Sequence, residues 1–194
     1  MLEIQQGLPA DYREQGAELF FTVLREKFEP ILGDTLRVRA LWAKSVKPKS
    51  CLTAWNGKDL VGILALQTKL QSFVCPKWQD LQQTYGLAGG FLRSLGLAIL
   101  EHKPGEGELY IEGIAVAASA RNQGVGTKMI KDAFTMAKAQ GFCTLTLEVV
   151  NTNQAAERLY KRLGFTPQAN RKVWPMNHII GWKFTESLFM AREV

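Results

Sequence analysis

Two glycines, one residue apart and preceded by an arginine, mark the stretch of this 194-residue chain best suited to chemistry: Arg121-Asn122-Gln123-Gly124-Val125-Gly126-Thr127. The stretch lies between a β-rich run, ELYIEGIAV from Glu108, and a run with helical apolar spacing through Val125, Met129, Ile130, Ala133, Phe134 and Ala137. At a helix start, glycines lack the side chains that would hold a ligand away from the backbone, and the first-turn N–H groups have no partner within the helix. The helix dipole adds partial positive charge there and Arg121 adds a full one, so the loop suits a pyrophosphate. Other phosphate motifs fit poorly. A GxxxxGK loop would need Lys-Ser/Thr after its second glycine, no GxGxxG follows a strand, and Gly89-Gly90 has no strand ending before it. Taken alone, the loop reads equally as a glycine-containing helix start with no ligand.

The elements that must position this loop follow from periodicity. Asp11 to Phe28 reads as one helix ended by Pro30, and Leu32 to Trp42 as a second. CLTAWNGKDLVGILALQT reads as a hairpin turning at Asn56-Gly57, the pair best able to take positive φ. Pro76 to Leu100 favours helix, interrupted near Gly89-Gly90. From Glu108 the pattern is strand, helix to Gln140 with Gly141 as terminator, strand CTLTLEVV, and helix Asn153 to Leu163 stopped by Gly164. The tail holds FTPQ, an apolar segment VWPMNHIIGW, and a last strand SLFMAREV. The class expected is α/β (α+β) with a mixed sheet, in a single domain over 1–194. Within it, 1–107 carries the first helices, the hairpin and a variable segment, 108–165 the ligand-binding core, and 166–194 the C-terminal strands.

The loop followed by Asn153-x-x-Ala156-x-x-Leu159-Tyr160-x-x-Leu163-Gly164-Phe165 resembles the GNAT superfamily of acetyl-CoA-dependent N-acetyltransferases, over about 108 to 165 and in the family's order and spacing. The resemblance implies a mostly antiparallel, twisted sheet flanked by helices and splayed between its fourth and fifth strands, here ELYIEGIAV and CTLTLEVV. It implies that the pantetheine arm of acetyl-CoA enters that gap beside the backbone of Ile114, Ala115 and Val116, and that Arg121 through Thr127 takes the pyrophosphate. A backbone N–H near Val116 would polarise the thioester carbonyl. Asn153 matches a position that contacts the cofactor, although an Asn opening a helix also serves as its cap.

The implied reaction is direct attack of a primary amine on the thioester, which needs a base for the ammonium proton and an acid for the departing thiolate. Glu148 matches the position some members use as base, notably those acetylating ribosomal-protein N-termini, and Glu112 is a second candidate on the neighbouring strand. Each also reads as an exposed residue in an alternating strand. Tyr160 matches the tyrosine that protonates the thiolate, and alternatively packs on the stripe of Ala156, Leu159 and Leu163. No covalent enzyme intermediate is required, so Cys143 is not expected to be a nucleophile.

Composition narrows the rest. With 46% hydrophobic and 22% charged residues, disorder and collagen-like repeats are excluded. Three cysteines without CxxC spacing and two lone histidines favour neither a disulfide framework nor a metal site, and burial is expected for Cys143. No apolar run reaches membrane length and MLEIQQGLPADYRE has no signal-like pattern, so a cytoplasmic location and no membrane partner are expected. The net charge of +6 is concentrated after residue 157, where seven basic face two acidic residues, as an anionic partner would favour. Arg171, Lys172 and Lys183 are interleaved there with Trp174, Trp182 and Phe184, the mixture of a single-strand groove. No nucleic-acid motif accompanies them, so the partners expected are acetyl-CoA and an amine, not nucleic acid. A non-catalytic acyl-CoA-binding regulator is the alternative. The acceptor amine is not legible, nor is the oligomeric state, a homodimer being compatible. Segments 70–105 and 170–185 carry no motif.

Overall fold

In a computed structural model describing residues 1–194, the β-rich runs assemble into a single seven-stranded sheet with helices on both faces. The strands are β1 (Leu2–Gln6), β2 (Cys51–Asn56), β3 (Asp59–Gln67), β4 (Glu108–Val116), β5 (Thr144–Val150), β6 (Thr166–Lys172) and β7 (Glu186–Glu193), in the order β1-β2-β3-β4-β5-β7-β6. Every neighbouring pair is antiparallel except β4–β5. Helices α1 (Arg13–Val23), α2 (Arg25–Leu32), α3 (Leu36–Ser45) and α4 (Trp78–Leu100) cover one face, with α7 (Met176–Ile180) beside them. Helices α5 (Val125–Ala139) and α6 (Gln154–Arg162) cover the other. Phe20, Trp42, Phe73 and Phe184 fill the first core and Met129, Ile130, Leu145 and Phe165 the second. No helix is long and apolar enough to cross a membrane.

Two features of β4 shape the centre of the sheet. Its parallel pairing with β5 runs only from Glu108↔Thr144 to Ile111↔Leu147. Beyond that point β4 stays with β3 and β5 with β7, so the two strands part, as expected for the fourth and fifth strands. The second feature is a bulge. Leu66 pairs with Ile111 and Ala65 with Gly113, leaving Glu112 without an opposite residue. Leu109 and Ile111 belong to the α5–α6 core before the bulge, and Ile114 and Val116 pack on it afterwards, whereas Ala115 belongs to the other core. One extra residue therefore resets the alternation and leaves Glu112 and Gly113 together on the α1–α4 side. A Cβ on Gly113 would lie 2.5 Å from Leu24 Cδ1, so glycine is required by the close approach of α1 and its C-cap.

Several expected boundaries move. The single helix over 11–28 is two, α1 and α2, parted at Leu24 (φ −97°, ψ 17°), and Pro30 lies inside α2, which ends at Gly33. The second helix starts at Leu36, not Leu32, because the Thr35 side chain caps it by accepting from Val38 N–H. The break in α4 falls at Gly86 (φ 75°) instead of Gly89-Gly90, and Gly90 lets the two arms of α4 pack closely, its Cβ position lying 3.2 Å from Gln82 N. Strand β1 is additional to the expected elements, and β6 falls within the C-terminal strands expected over 166–194, on a segment that carried no strand pattern. LEIQQ is short and half polar, and TPQANRK is exposed throughout, so pairing with β2 and β7 is what orders them. Cys143 is exposed, not buried, because β5 begins one residue later.

Candidate active site

The glycine loop takes the conformation its sequence suggested. A short 3₁₀ turn, Ala118–Ala120, carries the chain out of β4, and Asn122 (φ 61°) and Gly124 (φ 79°) adopt left-handed backbone before α5 begins. From Asn122 through Thr127, no backbone N–H donates to a protein acceptor; the bond that opens α5 is Lys128 N–H to the Gly124 carbonyl at 2.9 Å. A Cβ on Gly124 would meet nothing within 4 Å, and one on Gly126 only Val116 Cγ2 at 3.9 Å. The side chains around this concavity turn back on the loop itself. Arg121 Nε donates to the Val116 carbonyl at 3.3 Å and Gln123 Nε2 to that of Ser119 at 2.8 Å. Open space in front of six unpartnered amides at a helix N-terminus is suited to an anionic group.

Ile114, Ala115 and Val116 pair with Leu64, Ile63 and Gly62 of β3 and face no strand on their other side. Their outward backbone groups are available to an extended ligand, as an edge strand's would be. Where β4 and β5 part, each contributes a carboxylate as its first residue beyond the last pair: Glu112 on β4 and Glu148 on β5.

The two carboxylates sit in different surroundings. Glu112 lines a cavity of about 340 Å³ between the sheet, α2 and α4. Its oxygens accept from the Ser72 hydroxyl, from Phe73 N–H at 2.9 Å and from Val74 N–H at 3.2 Å. Burial outweighs these bonds and pushes its pKa up to about 7. The Ser72 hydroxyl also lies 2.8 Å from the Val74 carbonyl. Its single proton can serve only one of these acceptors, so a protonated Glu112 is accommodated by donating to Ser72 while Ser72 donates to Val74. Glu148 is not among the residues lining the cavity; its carboxylate accepts from Ser187 Oγ at 3.1 Å and lies 3.9 Å from Arg171 Nη1.

Tyr160 is partly buried on the opposite side of the sheet, its ring 6.0 Å from that of Phe165, and its hydroxyl has no hydrogen-bond partner. Burial pushes its pKa up to about 12. Asn153 caps α6, its side chain accepting from Ala156 N–H at 3.1 Å. The α6 face carrying Ala156, Leu159 and Leu163 packs on the same core, so the packing reading of Tyr160 also describes the structure. In the tail, Trp182 and Phe184 are stacked at 5.1 Å and buried in the first core, so they offer no exposed platform for bases. No group of three or more His, Cys, Asp or Glu side chains is placed to hold a metal ion.

The cavity adds residues that no motif marked. Tyr110 is buried on its wall, and burial raises the pKa of its phenol. His102 stacks on it at 4.2 Å and is oriented by Glu108, with Nε2 2.8 Å from the carboxylate. Lys27 reaches the same cavity from α2. The one signal for this constellation was Glu112-Gly113 itself, since a glycine inside a strand pattern indicates a bulge or a close backbone approach.

The model of the acetyltransferase (GNAT) family matches residues 17–165. The chain is 35% identical over 63 residues to the probable N-acetyltransferase camello of Xenopus laevis, covering 32% of this chain and 29% of that protein. It is 36% identical over 70 residues to streptothricin acetyltransferase of Streptomyces lavendulae, covering 36% and 37%. The matched stretches thus span well under half the length of these curated relatives. The crystal structure of a Bacillus subtilis acetyltransferase in complex with CoA covers 100% of this chain and 99% of its own, with a TM-score of 0.59 and 18% identity, which shows a shared fold.

Proposed function

The chain belongs to the acetyltransferase (GNAT) family, and from that membership we propose that it transfers an acetyl group from acetyl-CoA to a primary amine by direct attack, with Glu112 taking the amine proton. The observation that carries this reading is the parting of β4 and β5 beside a cavity whose wall includes Glu112. The gap offers unpaired backbone at Ile114, Ala115 and Val116 for the pantetheine arm. The loop from Arg121 through Asn122, Gln123, Gly124, Val125, Gly126 and Thr127 offers free amides for the pyrophosphate. A CoA-bound relative with the same fold supports this choice of cosubstrate.

An amine in water is mostly protonated at neutral pH, its conjugate acid lying near ~10. A base with a pKa near working pH is the most effective at removing such a proton, and Glu112 at about 7 meets that requirement. Glu148, engaged by Ser187 and outside the cavity lining, is the second candidate. On the other face of the sheet, Tyr160 supplies an O–H for the departing sulfur. A phenol raised to about 12 stays protonated throughout the working range. It is a weaker acid than a thiol of ~8.5, so it acts by donating a hydrogen bond to sulfur as negative charge builds during C–S cleavage. Asn153 would contact the cofactor through groups its capping bond leaves free.

The test is release of CoA thiol from acetyl-CoA in the presence of a panel of primary amines, with acetylated product identified by mass. Turnover with at least one amine, lost in Glu112→Gln, is expected. Binding of acetyl-CoA without thiol release from any amine would replace this reading with that of a non-catalytic acyl-CoA-binding regulator.

A further inference from the structure

Among the sixteen residues lining the cavity beside Glu112, Lys27 is the sole lysine or arginine. It projects from α2, whose position against the tail is fixed by Trp182 Nε1 donating to the Lys27 carbonyl at 2.9 Å. Its ammonium makes no hydrogen bond and no ion pair within the protein. Glu148 and Glu26 act on it only from beyond ion-pair distance, and burial lowers its pKa. A partly buried cation with no direct hydrogen bond or ion pair, and carboxylates only at longer range, keeps its contact capacity free for a ligand. An anion that enters the cavity can pair with it.

The remaining lining divides by chemistry. Glu112, Glu101, Tyr110 and His102 offer acceptor atoms suited to an ammonium group. Phe28, Val74, Leu81, Leu97 and Leu100 give apolar wall. We infer that the acceptor is a compact amino-carboxylate: a primary amine presented to Glu112, an apolar body along the α4 wall, and a carboxylate paired with Lys27. A cavity of about 340 Å³ accommodates a small molecule of this kind. This inference rests on the transferase reading and deepens it, because it makes Lys27 a specificity-determining residue for the acceptor.

The experiment uses matched acceptors that differ only at the anionic end: free amino acids with apolar side chains, their carboxamides, and the amines lacking that group. A second arm uses ω-amino acids of increasing length to set the spacing between the two ends. Binding is followed by calorimetry with acetyl-CoA present, and transfer by thiol release, for the wild type, Lys27→Met and Lys27→Arg. We expect the wild type to bind a carboxylate-bearing acceptor at least about tenfold more tightly than its carboxamide, since a charge-assisted pair is being gained. Lys27→Met should bring the two within about twofold, the change falling on KM for the carboxylate, and Lys27→Arg should keep the preference. Equal affinity of wild type for carboxylate and carboxamide would overturn the inference, as would a preference that survives in Lys27→Met. Carboxylate-selective binding with no thiol release from any amine would instead overturn the transferase reading while upholding the role of Lys27.

Discussion

Replacing Glu112 by glutamine separates the proposed base from its surroundings, because the side chain keeps its shape and loses its ability to take a proton. In the folded chain this carboxyl titrates at about 7, against an ordinary value of 4.5. The difference, 7 − 4.5, corresponds to about 3 kcal/mol at ~1.36 kcal/mol per unit. Between those values the folded protein holds a proton that the unfolded chain has released, so stability must fall as pH rises across that window. The contribution is fully present below the unfolded value and lost above the folded one. Urea unfolding of the wild type should therefore show a loss approaching about 3 kcal/mol between pH ~4.5 and ~8 from this group. Glu112→Gln should remove that slope, at some cost from an amide NH₂ facing either the Phe73 or the Val74 N–H. For catalysis the dependence reverses, since only the ionised form accepts a proton. Wild-type kcat/KM should rise with pH to a plateau through an apparent pKa near 7, and Glu112→Gln should lie roughly 10² to 10⁴-fold lower without that limb. A limb near 7 that persists in Glu112→Gln would refute the assignment and direct attention to Glu148.

Gly126→Val places a side chain in the open space before the free amides without a positive-φ penalty, so acetyl-CoA affinity by calorimetry should fall at least about tenfold with little change in melting temperature. Gly124→Val should bind as poorly but also lose stability, because φ 79° disfavours any β-branched residue. Tyr160→Phe should lower turnover by about 10² to 10³-fold with acetyl-CoA affinity retained, and it should not destabilise the fold, since the hydroxyl has no partner to lose; full-rate turnover would leave Tyr160 a packing residue. Gly113→Ala forces a methyl to 2.5 Å from Leu24 Cδ1 and 3.2 Å from the Phe20 ring, so denaturant unfolding should show a loss of roughly 1 to 3 kcal/mol.

The sequence by itself determined what depends on local chemistry. The strand–loop–helix of 108–140 was legible because Gly124 and Gly126 tolerate only a few backbone roles and the α5 stripe repeats every three to four residues. Asn153 as a cap and the β2–β3 hairpin were legible for the same reason, each being a short-range bond or dihedral preference, although the hairpin turns at Gly57-Lys58, with Asn56 paired to Asp59 at the end of β2. The family followed from those motifs in their order. What only the tertiary structure decided is everything set by residues distant in sequence. Whether TPQANRK is a strand depends on β7, not on its own composition. Glu112 and Glu148 look alike in two alternating strands. They differ because the Ser72–Val74 segment packs onto Glu112 beside a cavity, while β7 supplies Ser187 to Glu148. Lys27 and His102 sit in segments with no motif, and they line the same cavity as Glu112 only because α2 and the turn before β4 pack on the same face of the sheet. A proton affinity is fixed by burial and by neighbours within a few ångströms, and those neighbours come from long-range packing that no local pattern encodes.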